Sequence, residues 1–156
     1  MKYQKTDYTC GPASIVNALR ALGIKLSETT VAELSGADKD EGVNEKGIIK
    51  SLKSLGYSYD ILPDVTDSEE AWKWLIYHLT IGHPVILCVE HFSHWSSAVG
   101  ILGNKRIIYV DPQDGLESNR RENGVRSLSR TGIIRIWGSR GRGYKRKYYG
   151  IAILNK

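Results

Sequence analysis

The chain has 156 residues, the length of one ordinary domain, and its 41% hydrophobic and 25% charged content excludes a disordered or fibrous polymer. Its longest unbroken apolar run, residues 84–89, is too short to span a bilayer, and Met1-Lys2-Tyr3-Gln4-Lys5 has no apolar stretch behind its charges that would read as a secretory signal. The net charge of +5 conceals an asymmetry: residues 1–78 hold nine Lys/Arg against twelve Asp/Glu, while residues 120–147 hold ten basic residues against Glu122 alone.

That asymmetry raises the prior for a polyanionic partner. Two cysteines, Cys10 and Cys88, are too few for a disulfide framework, so free thiols in a cytoplasmic protein are expected. A chain of this length buries roughly two-thirds of its unfolded surface, enough for a core without covalent staples.

In chain order, residues 14–22 place Ile15, Val16, Ala18, Leu19 and Leu22 on one helical stripe that Gly23 ends. Ser27 caps a second helix through Leu34, stopped by Gly36. Residues 45–55 repeat the pattern with Ile48, Ile49, Leu52 and Leu55, then Gly56. A weakly patterned strand follows at residues 57–62, and Asp67 with Glu70 forms a capping box for a helix carrying Trp72, Leu75, Ile76 and Leu79. The run from Pro84 to Glu90 suits a strand buried on both faces. Residues 95–102 and 106–111 flank Gly103-Asn104, a tight-hairpin signal. Residues 133–137 and 148–154 read as two more strands, with 113–130 and 138–147 as Gly-, Ser- and Arg-rich loops. No linker or repeat divides the chain. The expected architecture is one α+β domain over residues 1–156, N-terminal helices packed on a C-terminal antiparallel sheet.

Cys10 lies in Thr9-Cys10-Gly11-Pro12, just before the first helical stripe. Pro12 fits the first turn of a helix, where a missing N–H costs nothing. Cys10 then sits at the positive end of the helix dipole, which favours the nucleophilic thiolate. The alternative is a small buried hydrophobe, a role that suits Cys88 inside Val85-Ile86-Leu87-Cys88-Val89. A nucleophilic thiol needs a base, and His94 stands at the edge of a predicted strand. Asp111 ends the partner strand, so the hairpin brings a carboxylate near His94, and the spacing allows a Cys–His–Asp triad. His91 and His94 also have a His-x-x-His spacing, but no third ligand lies at a recognised spacing, and neither metal nor cofactor is expected.

The run Gln4-Lys5-Thr6-Asp7-Tyr8-Thr9-Cys10-Gly11-Pro12-Ala13-Ser14, followed by His94-Trp95 with Gly100 and then Asp111-Pro112, resembles the bacteriocin-processing, double-glycine-leader cysteine peptidases of the papain-like superfamily. The likeness covers Gln4 to Gly115. It implies the papain-like fold, with Cys10 as nucleophile, His94 as general base and acid, Asp111 as orienter of the imidazole, and Gln4 as oxyanion donor beside the Cys10 N–H. The substrate it implies is a peptide or protein. Glu90-His91-Phe92 is absent from the family pattern and reads as substrate contact or as loop. His91 and Trp95 are the substrate-binding candidates.

The basic segment matches no part of that pattern. Its Arg and Lys residues, with Trp137 and Tyr144, suit a solvated face, a phosphate- or nucleic-acid-binding clamp, or a surface that steers an acidic peptide. No helix-turn-helix, zinc-finger or ribonucleoprotein signature accompanies them, and nucleic acid is not the favoured partner. A cysteine peptidase is the expected activity. An acyltransferase or amidase with the same thioester, and a polyanion-binding domain, are the rivals.

Overall fold

In the computed structural model, which describes residues 9–40, 42–90, 93–112, 124–138 and 147–155, the apolar run after Pro84 forms β2 (Val85–Val89), with every residue buried. Alternation along the strand accounts for this. Val85, Leu87 and Val89 join one apolar cluster, and Ile86 and Cys88 join another on the opposite face. The other strands are β1 (Tyr59–Ile61), β3 (His94–Leu102), β4 (Arg106–Val110), β5 (Val125–Leu128) and β6 (Tyr149–Ile153). They form a six-stranded sheet in the order β1-β6-β2-β3-β4-β5, and every pairing is antiparallel.

Each face of the sheet carries a helical layer. Helices α1 (Cys10–Ala21), α2 (Glu28–Ser35) and α3 (Glu45–Ser54) bury Ile15, Leu19, Val31, Ile48 and Leu52 with Ile86 and Cys88. Helices α4 (Ser68–Thr80) and α5 (Arg130–Trp137) bury Trp72, Leu75, Leu79, Ile133 and Trp137 against Val85, Leu87 and Tyr109. The predicted helix punctuation is visible in the caps. The Ser27 hydroxyl accepts the Thr30 N–H and Gly36 ends α2 at φ 69°. The Asp67 carboxylate accepts the Glu69 N–H at the start of α4.

Three expectations are corrected. Residues 133–137 are helical, not a strand. Ser129 accepts the Gly132 N–H at 3.1 Å, and Ile133 and Trp137, four residues apart, are both fully buried. The β-branched residues suggested a strand, but the helical spacing of the buried pair prevails. Within the expected loop 113–130, residues 125–128 pair with β4 as β5. The Gly103-Asn104 turn takes in a third residue as a 3-10 turn with Lys105 at φ 56°. The second half also holds a helix among its strands, since α5 falls between β5 and β6, while β1 lies between α3 and α4 as expected. Six of the ten basic residues of the segment 120–147, among them Arg140, Arg142 and Arg146, lie outside the described residues.

Candidate active site

Cys10 is the first residue of α1, and the Thr9 side chain does not cap that helix. Pro12 falls in the first turn, where its missing N–H has no intrahelical acceptor to lose. Residues 11–19 of α1 are all buried, while Cys10 itself is half-buried at the helix mouth. Gly11 explains how the helix lies so close. A Cβ there would stand 2.0 Å from Val43 Cγ1 and 3.1 Å from Ile48 Cδ1. Val43 is in turn fixed by Trp95, whose Nε1–H donates to the Val43 carbonyl at 2.8 Å.

His94 opens β3, and Asp111 follows the last residue of β4. Val110 pairs with Ser97, so the next position, Asp111, falls opposite Ser96, two residues from His94 and on the same side of the sheet. The side chains meet there. His94 Nε2–H donates to Asp111 Oδ1 at 2.7 Å. Both are almost wholly buried, at 5% and 6% side-chain exposure. The Cys10 side chain lies near enough to His94 to act on its proton, and with Nε2 turned to the carboxylate, Nδ1 is the ring nitrogen left for the thiol.

Burial alone would lower the His94 pKa. The hydrogen bonds to Asp111 and Cys10 and the negative charge of both outweigh it and push the value up to about 10. The imidazole is therefore an imidazolium near neutrality, facing the sulfur of Cys10. Cys88 differs in kind: burial, with smaller contributions from Cys10 and Glu45, pushes its thiol up to about 12.

Trp95, expected to contact substrate, is buried in the core with its indole N–H spent on Val43 and its ring edge-on to Tyr149. It supports the site from beneath. Gln4 and His91 lie outside the described residues. One polar partner escaped the sequence reading. Arg126 on β5 places its guanidinium Nη2 3.3 Å from Asp111 Oδ2. The sequence carries no clear signal for it: Val125-Arg126-Ser127-Leu128 does not alternate apolar and polar residues, and only the strand pairing reveals its partner. A second histidine cluster stands on β1, α4 and the turn before β2. His78 Nε2–H donates to Asp60 Oδ2 at 2.8 Å, and His78 Nδ1 lies 3.1 Å from His83 Nδ1. Among the described residues, no three His, Cys, Asp or Glu side chains are grouped to hold a metal ion. Among them too, no helix is long and apolar enough to cross a membrane.

Known proteins share this fold. The peptidase domain of Streptococcus ComA, a bi-functional ABC transporter, superposes with a TM-score of 0.70 at 18% identity, covering 99% of this chain and 97% of that one. A double glycine motif protease from an AMS/PCAT transporter, solved with its leader peptide, gives 0.66 at 16% identity over 98% and 89%. A C39-like peptidase from Bacillus anthracis gives 0.61 at 14% identity over 100% and 94%. These likenesses make the fold the papain-like α+β fold. In sequence, an uncharacterized protein of Methanothermobacter marburgensis is 42% identical over 55 residues, which are 35% of this chain and only 38% of that protein. The model of the Peptidase_C39 like family matches residues 1–142. The chain therefore belongs to the Peptidase_C39-like family of cysteine peptidases.

Proposed function

We propose that this chain hydrolyses peptide bonds through Cys10, His94 and Asp111. The observation that carries the reading is the buried His94–Asp111 hydrogen bond, with the Cys10 side chain at a helix N-terminus close enough to act on the His94 proton. The Cys10 sulfur attacks the scissile carbonyl carbon, and the carbonyl oxygen becomes an oxyanion. The Cys10 N–H and the Gln4 side chain are the donors that fit it, by the family resemblance. As the C–N bond breaks, the His94 imidazolium gives its proton to the leaving amine and a thioester remains. Neutral His94 then takes a proton from water, whose oxygen attacks the thioester. The C–S bond breaks, and the thiolate and imidazolium are restored. Asp111 holds the imidazole in the required tautomer throughout. The relative solved with a leader peptide favours a peptide substrate.

The test uses peptide mixtures in water enriched in oxygen-18, read by mass spectrometry. Cleavage products carrying the heavy oxygen at their new C-termini are expected from the wild type and absent from Cys10→Ala. Products in which the acyl group appears on an added amine, without heavy oxygen, would make the protein a transferase. In parallel, iodoacetamide should modify Cys10 far faster than Cys88 at neutral pH. Equally slow labelling of both overturns the reading.

A further inference from the structure

We propose that Arg126 is a positioning residue: its guanidinium, bonded to Asp111 Oδ2, holds that carboxylate with Oδ1 turned to the His94 imidazole. The inference rests on Cys10, His94 and Asp111 acting as a triad, and adds a member that touches neither thiol nor substrate. Both oxygens of Asp111 are engaged, Oδ1 by His94 at 2.7 Å and Oδ2 by Arg126 at 3.3 Å. A carboxylate held at one oxygen can turn about its terminal bond. One held at both presents a fixed lone pair to the imidazole.

Strand register builds this arrangement. Tyr109 and Arg126 are direct partners across β4 and β5. Asp111 lies two residues beyond Tyr109, on the same face and diagonal to Arg126, within reach of a long side chain. The Tyr109 ring supports the guanidinium, whose carbon is 5.4 Å from the ring centroid. The backbone is held as well, since the Asp111 N–H donates to the Gly124 carbonyl at 2.8 Å. Among the described residues, the charged and titratable groups around His94 and this carboxylate include Cys10 from α1, Arg126 from β5, and Tyr109 and Glu90, the last acting on Tyr109.

Removing Arg126 has two opposed effects on the His94 proton. Loss of a nearby cation strengthens proton binding. Loosening of the Asp111 bond weakens it. The second is expected to be larger, because the Asp111 hydrogen bond is the strongest influence raising the His94 pKa, while Arg126 is not among the groups that lower it. The guanidinium, 33% exposed, also has its charge screened by solvent.

The experiment is an NMR titration of the His94 ring, assigned by its loss in His94→Gln, on the intact chain and its variants. In Arg126→Gln the midpoint is expected to fall by about one unit, a tenfold loss of proton affinity. Arg126→Met, which keeps the aliphatic packing on Tyr109, should fall equally and replaces Gln if that variant loosens the strand. Arg126→Lys should restore most of the shift, because a single donor to Oδ2 suffices. In an Asp111→Asn background, Arg126→Gln should add nothing. An unmoved or raised midpoint in both Arg126→Gln and Arg126→Met, no recovery with Lys, or an equal fall in the Asp111→Asn background overturns the positioning role. If Asp111→Asn alone leaves the midpoint in place, the triad reading itself falls.

Discussion

The molecule holds two histidine–carboxylate pairs of almost equal length, His94–Asp111 at 2.7 Å and His78–Asp60 at 2.8 Å. Both imidazoles are buried. The carboxylates differ: Asp111 is 6% exposed and Asp60 is 48% exposed. Water screens Asp60, and the Trp74 indole N–H donates to the same oxygen that His78 uses. The other face of each imidazole differs too, with a thiol at His94 and a second imidazole, His83, at His78. The distance between ring and carboxylate is therefore no mark of catalysis. What sets the first pair apart is a dry carboxylate on one side and a free thiol at a helix mouth on the other.

The sharpest way to break this comparison is to exchange the fates of the two histidines. His94→Gln should slow iodoacetamide modification of Cys10 at pH 7 by about a hundred-fold or more, the scale of a lost acid–base partner. His78→Gln should leave that rate within about twofold, since solvent exposure of its carboxylate keeps the second cluster's electrostatics local. Equal losses in a peptide-mapping assay would erase the distinction.

A smaller effect separates the pairs by pH. His94 binds its proton more tightly in the folded chain than at its ordinary value of about 6.5. Its contribution to stability is therefore whole below that value and lost as pH rises through about 10. His83 has the opposite sign. Burial, and then the neighbouring His78, lower its pKa, so its contribution is whole above about 6.5 and lost as pH falls through the folded value. Thermal melts across pH 5 to 10.5 should lose their alkaline slope in His94→Gln and their acid slope in His83→Gln. The reverse pattern would show that the pairs had been assigned backwards.

The smallest effect concerns support. Trp95→Phe keeps a ring in the core and removes the donor to the Val43 carbonyl. It should cost about 1–2 kcal/mol in a denaturant titration, with slower Cys10 alkylation and no change at the His78 cluster. Unchanged alkylation would mean that Val43 does not set the position of Cys10.

The positions of Cys10, His94 and Asp111 were legible because each stands at an element end marked by local chemistry: Pro12 after the thiol, Gly103-Asn104 between the strands, Pro112 after the carboxylate. The double-sided burial of β2 was legible too, in its unbroken apolar run. Arg126 was not, because only cross-strand register distinguishes it from the other basic residues around it, and β5 was hidden in an apparent loop. The helical state of residues 130–137 was masked by three isoleucines, whose β-branching speaks for a strand until the burial of Ile133 and Trp137 is known. Trp95 failed for a different reason. An aromatic beside a histidine has the same spelling whether it faces a substrate or the core.

The contact at Gly11 has a consequence for motion. Cys10 adjoins Gly11, Gly11 rests on Val43, Val43 is tied to Trp95, and Trp95 adjoins His94. Cys10 and His94 thus share a common support in Val43, whose side chain meets Gly11 and whose carbonyl accepts the Trp95 indole N–H. A displacement of Val43 therefore bears on both sides of the gap between sulfur and imidazole. A methyl group at position 11 would act as a shim, prying that gap open from below without touching either reactive group.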